Sequence, residues 1–363
     1  MRRRTLLKFI AALAACGVIL ALILAPWGRA PDLRSVGKRI PMTRGYAIYG
    51  QPQRIWISER EQINFRHIRQ PGLISPFPMG TQATAFDMER GGSHPTQSLN
   101  QRLAQVSSGD HPLLVDEWEP SLDGKWIAFT LFEHLNKRWG FGIARTDGSE
   151  LRSIHLVDNA DCHMQWSPVD RNLLVLCSYL RKGPVLEWKA HSYDPDHLES
   201  PQILRLQDGP YAYSRLGMTR RGRILDILDW NWGHLKPNVS VSLMETDPQM
   251  ADGTPKRWAI QPPKGTVISI ALSTKGDRLA WLISSHNSGP ANRLLGHLLR
   301  YLGFRESDVI SLWISSLDGS GMREIAKTNS SPHDFGGNLG WTPSDSAISL
   351  ALSISGTWIV PVK

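Results

Sequence analysis

From Trp118 to the C-terminus the chain alternates apolar and polar positions in short runs, and turn-forming residues separate the runs at regular intervals. The clearest unit is Pro120-Ser121-Leu122-Asp123-Gly124-Lys125-Trp126-Ile127-Ala128-Phe129. It recurs at residues 166–175 and 272–281, and in weaker form at 218–225 and 341–348. Each copy opens on an apolar residue or Trp, then a Ser or Thr, then a turn built from Pro, Asp, Gly or their substitutes. Proline presets φ at the first turn position, and Gly and Asp tolerate the left-handed region, so the segment turns for a stated reason. The runs that follow, such as Trp126 to Phe129 and Leu279 to Ile283, are aromatic and aliphatic, as half-buried strands prefer. Two units continue into a second hairpin, around Asp147-Gly148 (143–154) and Asp318-Gly319 (314–325). One unit is therefore four antiparallel strands. Repeated about every fifty residues, such units predict the blades of a β-propeller.

The string Ser121 to Phe129 with the later Asp147-Gly148 resembles the WD40-like repeats of TolB-type β-propellers, and the other copies match it in part. The resemblance spans about residues 40 to 363 and is weakest from 40 to 115. It implies an all-β ring of four-stranded blades. Anchors at Ser121, Ser167, Thr219, Ser273 and Thr342 give five. Ile55-Trp56-Ile57-Ser58 echoes Leu312-Trp313-Ile314-Ser315, residues 41–49 read as the hairpin before it, and Ser75-Pro76 with residues 83–86 as a further degraded copy. Six blades are favoured, with seven as the alternative. The chain ends on one strand-like run, 357–362, so a strand near 37–42 is expected to close the ring by pairing into the last blade.

Residues 1–30 form a separate unit, ahead of a propeller over 31–363. Arg2, Arg3, Arg4 and Lys8 precede an uncharged apolar stretch that runs from Phe9 to Trp27. That length suits a single transmembrane helix, and the leading charges place the N-terminus in the cytoplasm and the propeller on the periplasmic or extracellular side of a bacterial membrane. A cleaved signal ending near Ala30 and a lipoprotein signal at Cys16 are the alternatives. The net charge of +8 is largely topogenic, because residues 1–30 hold five Lys/Arg and no acid. No basic stripe interleaved with aromatics appears, which excludes nucleic acid as a partner.

The chain has 14 Trp, and Trp118, Trp126, Trp166, Trp281, Trp313, Trp341 and Trp358 read as inter-blade packing. Beyond Cys16 there are two cysteines. Cys162 and Cys177 lie symmetrically about the Ser167 to Asn172 turn, so a regular hairpin sets them opposite each other. The leading reading is two buried free thiols, and an oxidising compartment would permit a cross-strand disulfide as the alternative.

An insertion near 288–306 carries Leu294, Leu295, Leu298, Leu299 and Leu302 on one helical face, with Arg293, His297 and Arg300 off it. It reads either as a helix packed on the rim or as a site for a protein partner or membrane surface, with Leu294, Leu298, Arg300 and Leu302 as the contact residues. Asp229-Trp230-Asn231-Trp232-Gly233-His234 alternates aromatic and polar groups, so Asp229, Trp230, Trp232 and His234 suit a glycan or small ligand; the alternative is a strand end anchored by its indoles.

Hydrolase-elbow, zinc and phosphate-loop motifs are all missing. Asp158-Asp161-His163 and Asp194-Asp196-His197 are small polar clusters without calcium-loop spacing, and no metal or cofactor is expected. Asp226, Asp229 and Glu119 are the carboxylates that a channel-centred enzyme site would use. The TolB-type resemblance implies a protein-interaction platform of the cell envelope. The leading expectation is a membrane-anchored, non-enzymatic propeller, with glycan or small-ligand binding and a channel enzyme as alternatives.

Overall fold

The computed structural model describes residues 31–40, 53–68, 80–87, 93–107, 113–133, 138–158, 160–180, 186–204, 215–228, 237–248, 254–285, 308–330, 335–352 and 356–362. The N-terminal segment 1–30, the insertion 286–307 and residues 229–236 lie outside them. No helix among the described residues is long and apolar enough to cross a membrane.

Six four-stranded antiparallel sheets follow one another along the chain. Blade 1 holds β2 (Gln53–Ser58), β3 (Glu61–Ile68), β4 (Gly80–Asp87) and β5 (Ser93–Pro95). Blade 2 holds β6 (Leu113–Pro120), β7 (Trp126–Glu133), β8 (Arg138–Arg145) and β9 (Leu151–Asp158). Blade 3 runs through β10 (Ala160–Trp166), β11 (Leu173–Leu180), β12 (Leu186–Asp194) and β13 (His197–Leu204). Blade 4 comprises β14 (Arg215–Met218), β15 (Ile224–Leu228), β16 (Val241–Thr246) and β17 (Lys256–Ile260). In blade 5 are β18 (Thr266–Leu272), β19 (Arg278–Ser285), β20 (Asp308–Ser316) and β21 (Arg323–Ser330). Blade 6 has β22 (Phe335–Trp341), β23 (Ala347–Leu352) and β24 (Gly356–Pro361), and its fourth strand is β1 (Lys38–Ile40). Lys38 pairs with Ile359 and Ile40 with Thr357, so the expected closing strand is present.

The first strands of neighbouring blades contact one another, which makes them the innermost layer around the ring axis. Ile55 to Ser58 therefore belongs to a first strand, not to the third-strand position that its likeness to 312–315 suggested. Residues 83–86 lie on β4, the third strand of blade 1, and open no further blade. Residues 41–49 lie outside the described residues.

Each sheet has two apolar faces, and both are hidden only by lying between two other sheets. Trp118, Phe129 and Leu131 pack with Ile63 and Ala83 between blades 1 and 2. Trp126, Phe141, Trp166 and Tyr193 fill the space between blades 2 and 3. Leu174, Met218 and Ile224 do so between 3 and 4, and Leu243, Ile270 and the fully buried Trp281 between 4 and 5. Leu312, Ile325, Trp341 and Leu350 form the layer between 5 and 6, with Trp358 packed against it. Burying a side chain of this size stabilises by about 1.5–3 kcal/mol, so the interfaces dominate the energetics. The indoles also tie blade to blade. Trp166 Nε1 donates to the Glu119 carbonyl at 2.9 Å, and Trp341 Nε1 makes the equivalent bond to Ala271 at 3.2 Å. Trp258 Nε1 donates to the Leu317 carbonyl at 2.9 Å, and Trp56 Nε1 to Ser349 Oγ at 3.3 Å.

A helix that the strand pattern did not announce, α1 (Leu33–Val36), precedes β1, and Asp32 Oδ1 caps it by accepting from the Arg34 amide at 2.7 Å. The longer α2 (Gln97–Ser107) takes over where β5 stops short. Leu99 and Leu103, four residues apart, are buried between blades 1 and 2, and the Asn100 side chain donates to the Ala83 carbonyl at 2.9 Å while accepting from its amide at 2.6 Å.

At three of the five anchors the Ser or Thr has one recurring task. Ser121 Oγ accepts from the Trp126 amide at 2.9 Å, Ser273 Oγ from Arg278 at 3.0 Å, and Thr342 Oγ1 from Ala347 at 3.1 Å. The turns these residues open then rest on one another around the axis. Gly124 (φ 67°) lies so close to Ile57 that a Cβ would stand 1.9 Å from the Ile57 carbonyl oxygen. Gly222 faces Val169, and Gly276 (φ 69°) accepts at its carbonyl from the Arg220 amide at 2.9 Å. In blade 6 the left-handed position is taken by Asp345 (φ 60°), whose side chain is fully buried. Its carboxylate accepts from the Thr274 amide at 2.8 Å and the Lys275 amide at 3.0 Å in blade 5. Glu59 of blade 1 accepts from the Ser344 amide of blade 6, which continues the chain of contacts.

Cys162 and Cys177 are direct partners on β10 and β11, as their symmetry about the turn predicted. The Ser167 amide donates to the Asn172 carbonyl at 2.8 Å, so that pair is hydrogen-bonded. Pairs alternate outward and the register is unbroken, which makes the cysteines, five steps away, a non-hydrogen-bonded pair. Such pairs stand about 4.5 Å apart at Cα, within the range a disulfide spans. Peptide mass spectrometry of chain produced in an oxidising compartment should find residues 162 and 177 linked; full alkylation of both thiols before reduction excludes the bond.

Asp345→Gly keeps the left-handed backbone but deletes the buried carboxylate and leaves the Thr274 and Lys275 amides without their acceptor. A loss of about 2–3 kcal/mol in denaturant unfolding is expected, with Asp345→Asn losing less.

Candidate functional site

In a ring of four-stranded meanders, the first-to-second and third-to-fourth connections emerge on one face, and all others on the opposite face. The first is the turn face. Its connections are short, the longest being 247–255, and the innermost of them rest on one another as described above. The second is the connection face, from which the long segments 69–79, 205–214, 229–240 and 286–307 leave the strand ends.

Both candidate sites from the sequence fall on segments of the connection face. Asp229, Trp230, Trp232 and His234 stand between β15 and β16, and Leu294, Leu298, Arg300 and Leu302 between β19 and β20. All eight lie outside the described residues. What the described strands establish is that these two segments, from adjacent blades, leave the ring on the same side. Neither the alternation around Trp230 nor the helical spacing around Leu298 carries that information.

Of the carboxylates proposed for the channel, Asp226 and Glu119 do not converge. Asp226 is buried on the second strand of blade 4, opposite Met244 in register, whereas Glu119 is on the innermost strand of blade 2. Glu119 is a blade-to-blade tie: its carboxylate accepts from Gln165 Nε2 at 3.1 Å, next to the indole bond that its carbonyl receives from Trp166. Asp229 lies outside the described residues. Asp194-Pro195-Asp196 is a turn, in which Asp194 Oδ1 accepts from the Asp196 amide at 2.9 Å, and His197 stands 3.7 Å from Glu199 on the exposed surface. Among the described residues no three His, Cys, Asp or Glu gather closely enough to hold a metal ion.

The turn face was not foreseen as a surface of interest, because its residues read only as turn formers. Their carboxylates are engaged locally. Burial alone would raise the Asp123 carboxyl, but the Ser121 hydroxyl, the Lys125 amide and the charges of Lys125 and Arg171 outweigh it and hold the group below its ordinary value. The Ser149 and Ser320 side chains and amides hold Asp147 and Asp318 low in the same way.

No protein-family model and no curated protein matches the chain. Solved structures do. TolB from Acinetobacter baumannii is 12% identical, with a TM-score of 0.45 over 84% of this chain and 64% of that one. An oligogalacturonate lyase from Vibrio parahaemolyticus is 10% identical, with a TM-score of 0.49 over 85% and 76%. The β-propeller domain of the Trilobed protease from Pyrococcus furiosus is 13% identical, with a TM-score of 0.44 over 84% and 82%. The chain thus spans less than two thirds of the Acinetobacter TolB. The TolB-type likeness seen in the repeats is met again among solved structures, and the chain is a six-bladed β-propeller of four-stranded antiparallel blades.

Proposed function

We propose that this chain is a non-enzymatic binding propeller of the bacterial cell envelope, tethered to the membrane by residues 1–30, that takes a protein partner on its connection face. The observation that carries the reading is the contrast between the two faces. On one, short turns bind to each other and leave little chain for recognition; on the other, long connections, 229–240 and 286–307 among them, leave the strand ends of the adjacent blades 4 and 5. Rigid scaffolds that present long connections on one face commonly use them for binding. The insertion that contains Leu294, Leu298, Arg300 and Leu302 supplies an amphipathic pattern suited to a protein surface. The pair Trp230 and Trp232 on the neighbouring connection would add aromatic contact area. Similar folds include an enzyme, the oligogalacturonate lyase, so activity here is argued from the site and not from the ring.

The test is photo-crosslinking of the full-length chain in its native membranes from a probe at position 298, beside a variant in which Leu294, Leu298 and Leu302 are Ser. One dominant protein adduct, lost when unlabelled native chain competes and reduced at least tenfold in binding by the triple variant, is expected. Absence of any protein adduct, with binding to a glycan array that disappears in Trp230→Ala/Trp232→Ala, would replace the partner protein by a glycan ligand.

A further inference from the structure

The outer edges of the six blades differ in charge. A blade's edge is its fourth strand, the turn before that strand and any helix beside it, and every acid and base on it counts, whether engaged or not. On blades 1 to 3 the bases are Arg102 and Arg152, and the acids are Asp147, Glu150, Asp158, Asp196 and Glu199. Blade 4 has Lys256 and Arg257 against Asp247, and blade 5 has Arg323 and Lys327 against Asp318 and Glu324. The edge of blade 6 is β1 with α1, and it holds Arg34, Lys38 and Arg39 against Asp32. Among the described residues, one half of the rim thus sets two bases against five acids, and the other half seven bases against four acids. The rim is polarised across the ring.

The N-terminal segment joins the ring on the basic half. Asp32 bridges to Lys327, midway along β21, and Leu33 is buried in the same apolar layer as Ile325 and Ala326. Helix α1 then lies against β21 and β24 before the chain enters β1. The chain therefore enters on the rim, away from both the turn face and the connection face. Four residues, 28–31, separate this entry from the apolar stretch that ends at Trp27. Fully extended, the five steps from Trp27 to Asp32 span about 17 Å, which leashes the basic edge to the end of that stretch.

We infer that the edges of blades 4 to 6 are a docking surface for an anionic lipid bilayer, which holds the ring edge-on to the membrane with both faces clear of it. The inference rests on the tether proposed above for residues 1–30. Lipid phosphates attract Lys and Arg within about a Debye length of the surface, and arginine holds a phosphate through two parallel N–H donors. The same surface repels the acidic half of the rim, so the charge pattern selects one orientation as well as adding attraction. An acidic protein would also suit these bases, but the short leash keeps headgroups beside them at high effective concentration. Edge-on docking leaves the connection face open to its partner.

The experiment uses the full-length chain in nanodiscs of phosphatidylcholine with or without phosphatidylglycerol. The headgroups carry a nitroxide quencher, and a fluorescent amino acid stands at position 259 or at position 203. Ala259 is exposed on β17 of the basic half, and Ile203, 74% exposed, is on β13 of the acidic half. In discs with phosphatidylglycerol, quenching should be at least about twofold greater at 259 than at 203. The difference should vanish in phosphatidylcholine alone, and in Arg34→Glu/Arg257→Glu with unchanged thermal melting. Lys125→Glu/Lys275→Glu makes an equal charge change on the inner turns and should retain the difference. If the first pair unfolds the chain, Lys38→Glu/Arg323→Glu serves in its place. Equal quenching at the two positions would overturn the docking surface and leave the basic edge to an acidic protein. A difference that survives reversal of the rim, or one lost equally in the inner-turn pair, would overturn it too. Failure of the chain to co-elute with the discs is a separate result, read before any fluorescence, that would remove the tether and this orientation with it.

Discussion

A sheet that is apolar on both faces cannot stop. Each blade needs a neighbour on either side, and the requirement passes along the chain until the last sheet meets the first. In this protein the interfaces are filled by large side chains, among them Trp118, Trp126, Trp166, Trp281 and Trp341, and each indole is worth more in apolar area than any single hydrogen bond nearby. Closure is then an energetic necessity, and β1 supplies it by completing blade 6. An open ring would expose an apolar sheet face at each end, and unpaired strand edges with them.

The turn contacts add precision to that packing. Apolar layers tolerate small slides, but a carboxylate aimed at two particular amides does not. Asp345 fixes blade 6 against blade 5 in this way, and the close approach of Gly124 to Ile57 fixes blade 2 against blade 1. The outcome is a rigid inner hoop surrounded by a softer fan of strands. Rigidity of this kind favours a platform whose recognition elements differ from blade to blade while their spacing stays constant.

Most of the fold was legible because one local geometry imposes one residue choice repeatedly. A hydroxyl that must accept from an amide about five residues on can only be Ser or Thr, so Ser121, Ser273 and Thr342 mark their blades in plain sequence. Blade 1 was harder because its first turn is only Glu59-Arg60, without Pro, Asp or Gly, and its strand 53–58 carries the same short motif as a third strand elsewhere. The helix α2 was missed because Gln and Asn dilute its pattern to two buried leucines. The candidate sites were legible as motifs but not as places. That 229–234 and 294–302 leave the ring on one side follows from strand direction, and that Asp345 serves residues some seventy positions away follows from blade order.

The pairing of β1 with β24 also has a bearing on time. Lys38 is synthesised about 320 residues before its partner Ile359. Blades 1 to 5 hold all their own strands and can form as they appear, whereas β1 must wait, unpaired, until β24 has been made. A ring fastened between such distant segments cannot ratchet shut blade by blade. Its final cooperative step must await β24, so a chain that stalls before that strand presents an open arc with both of its ends adhesive.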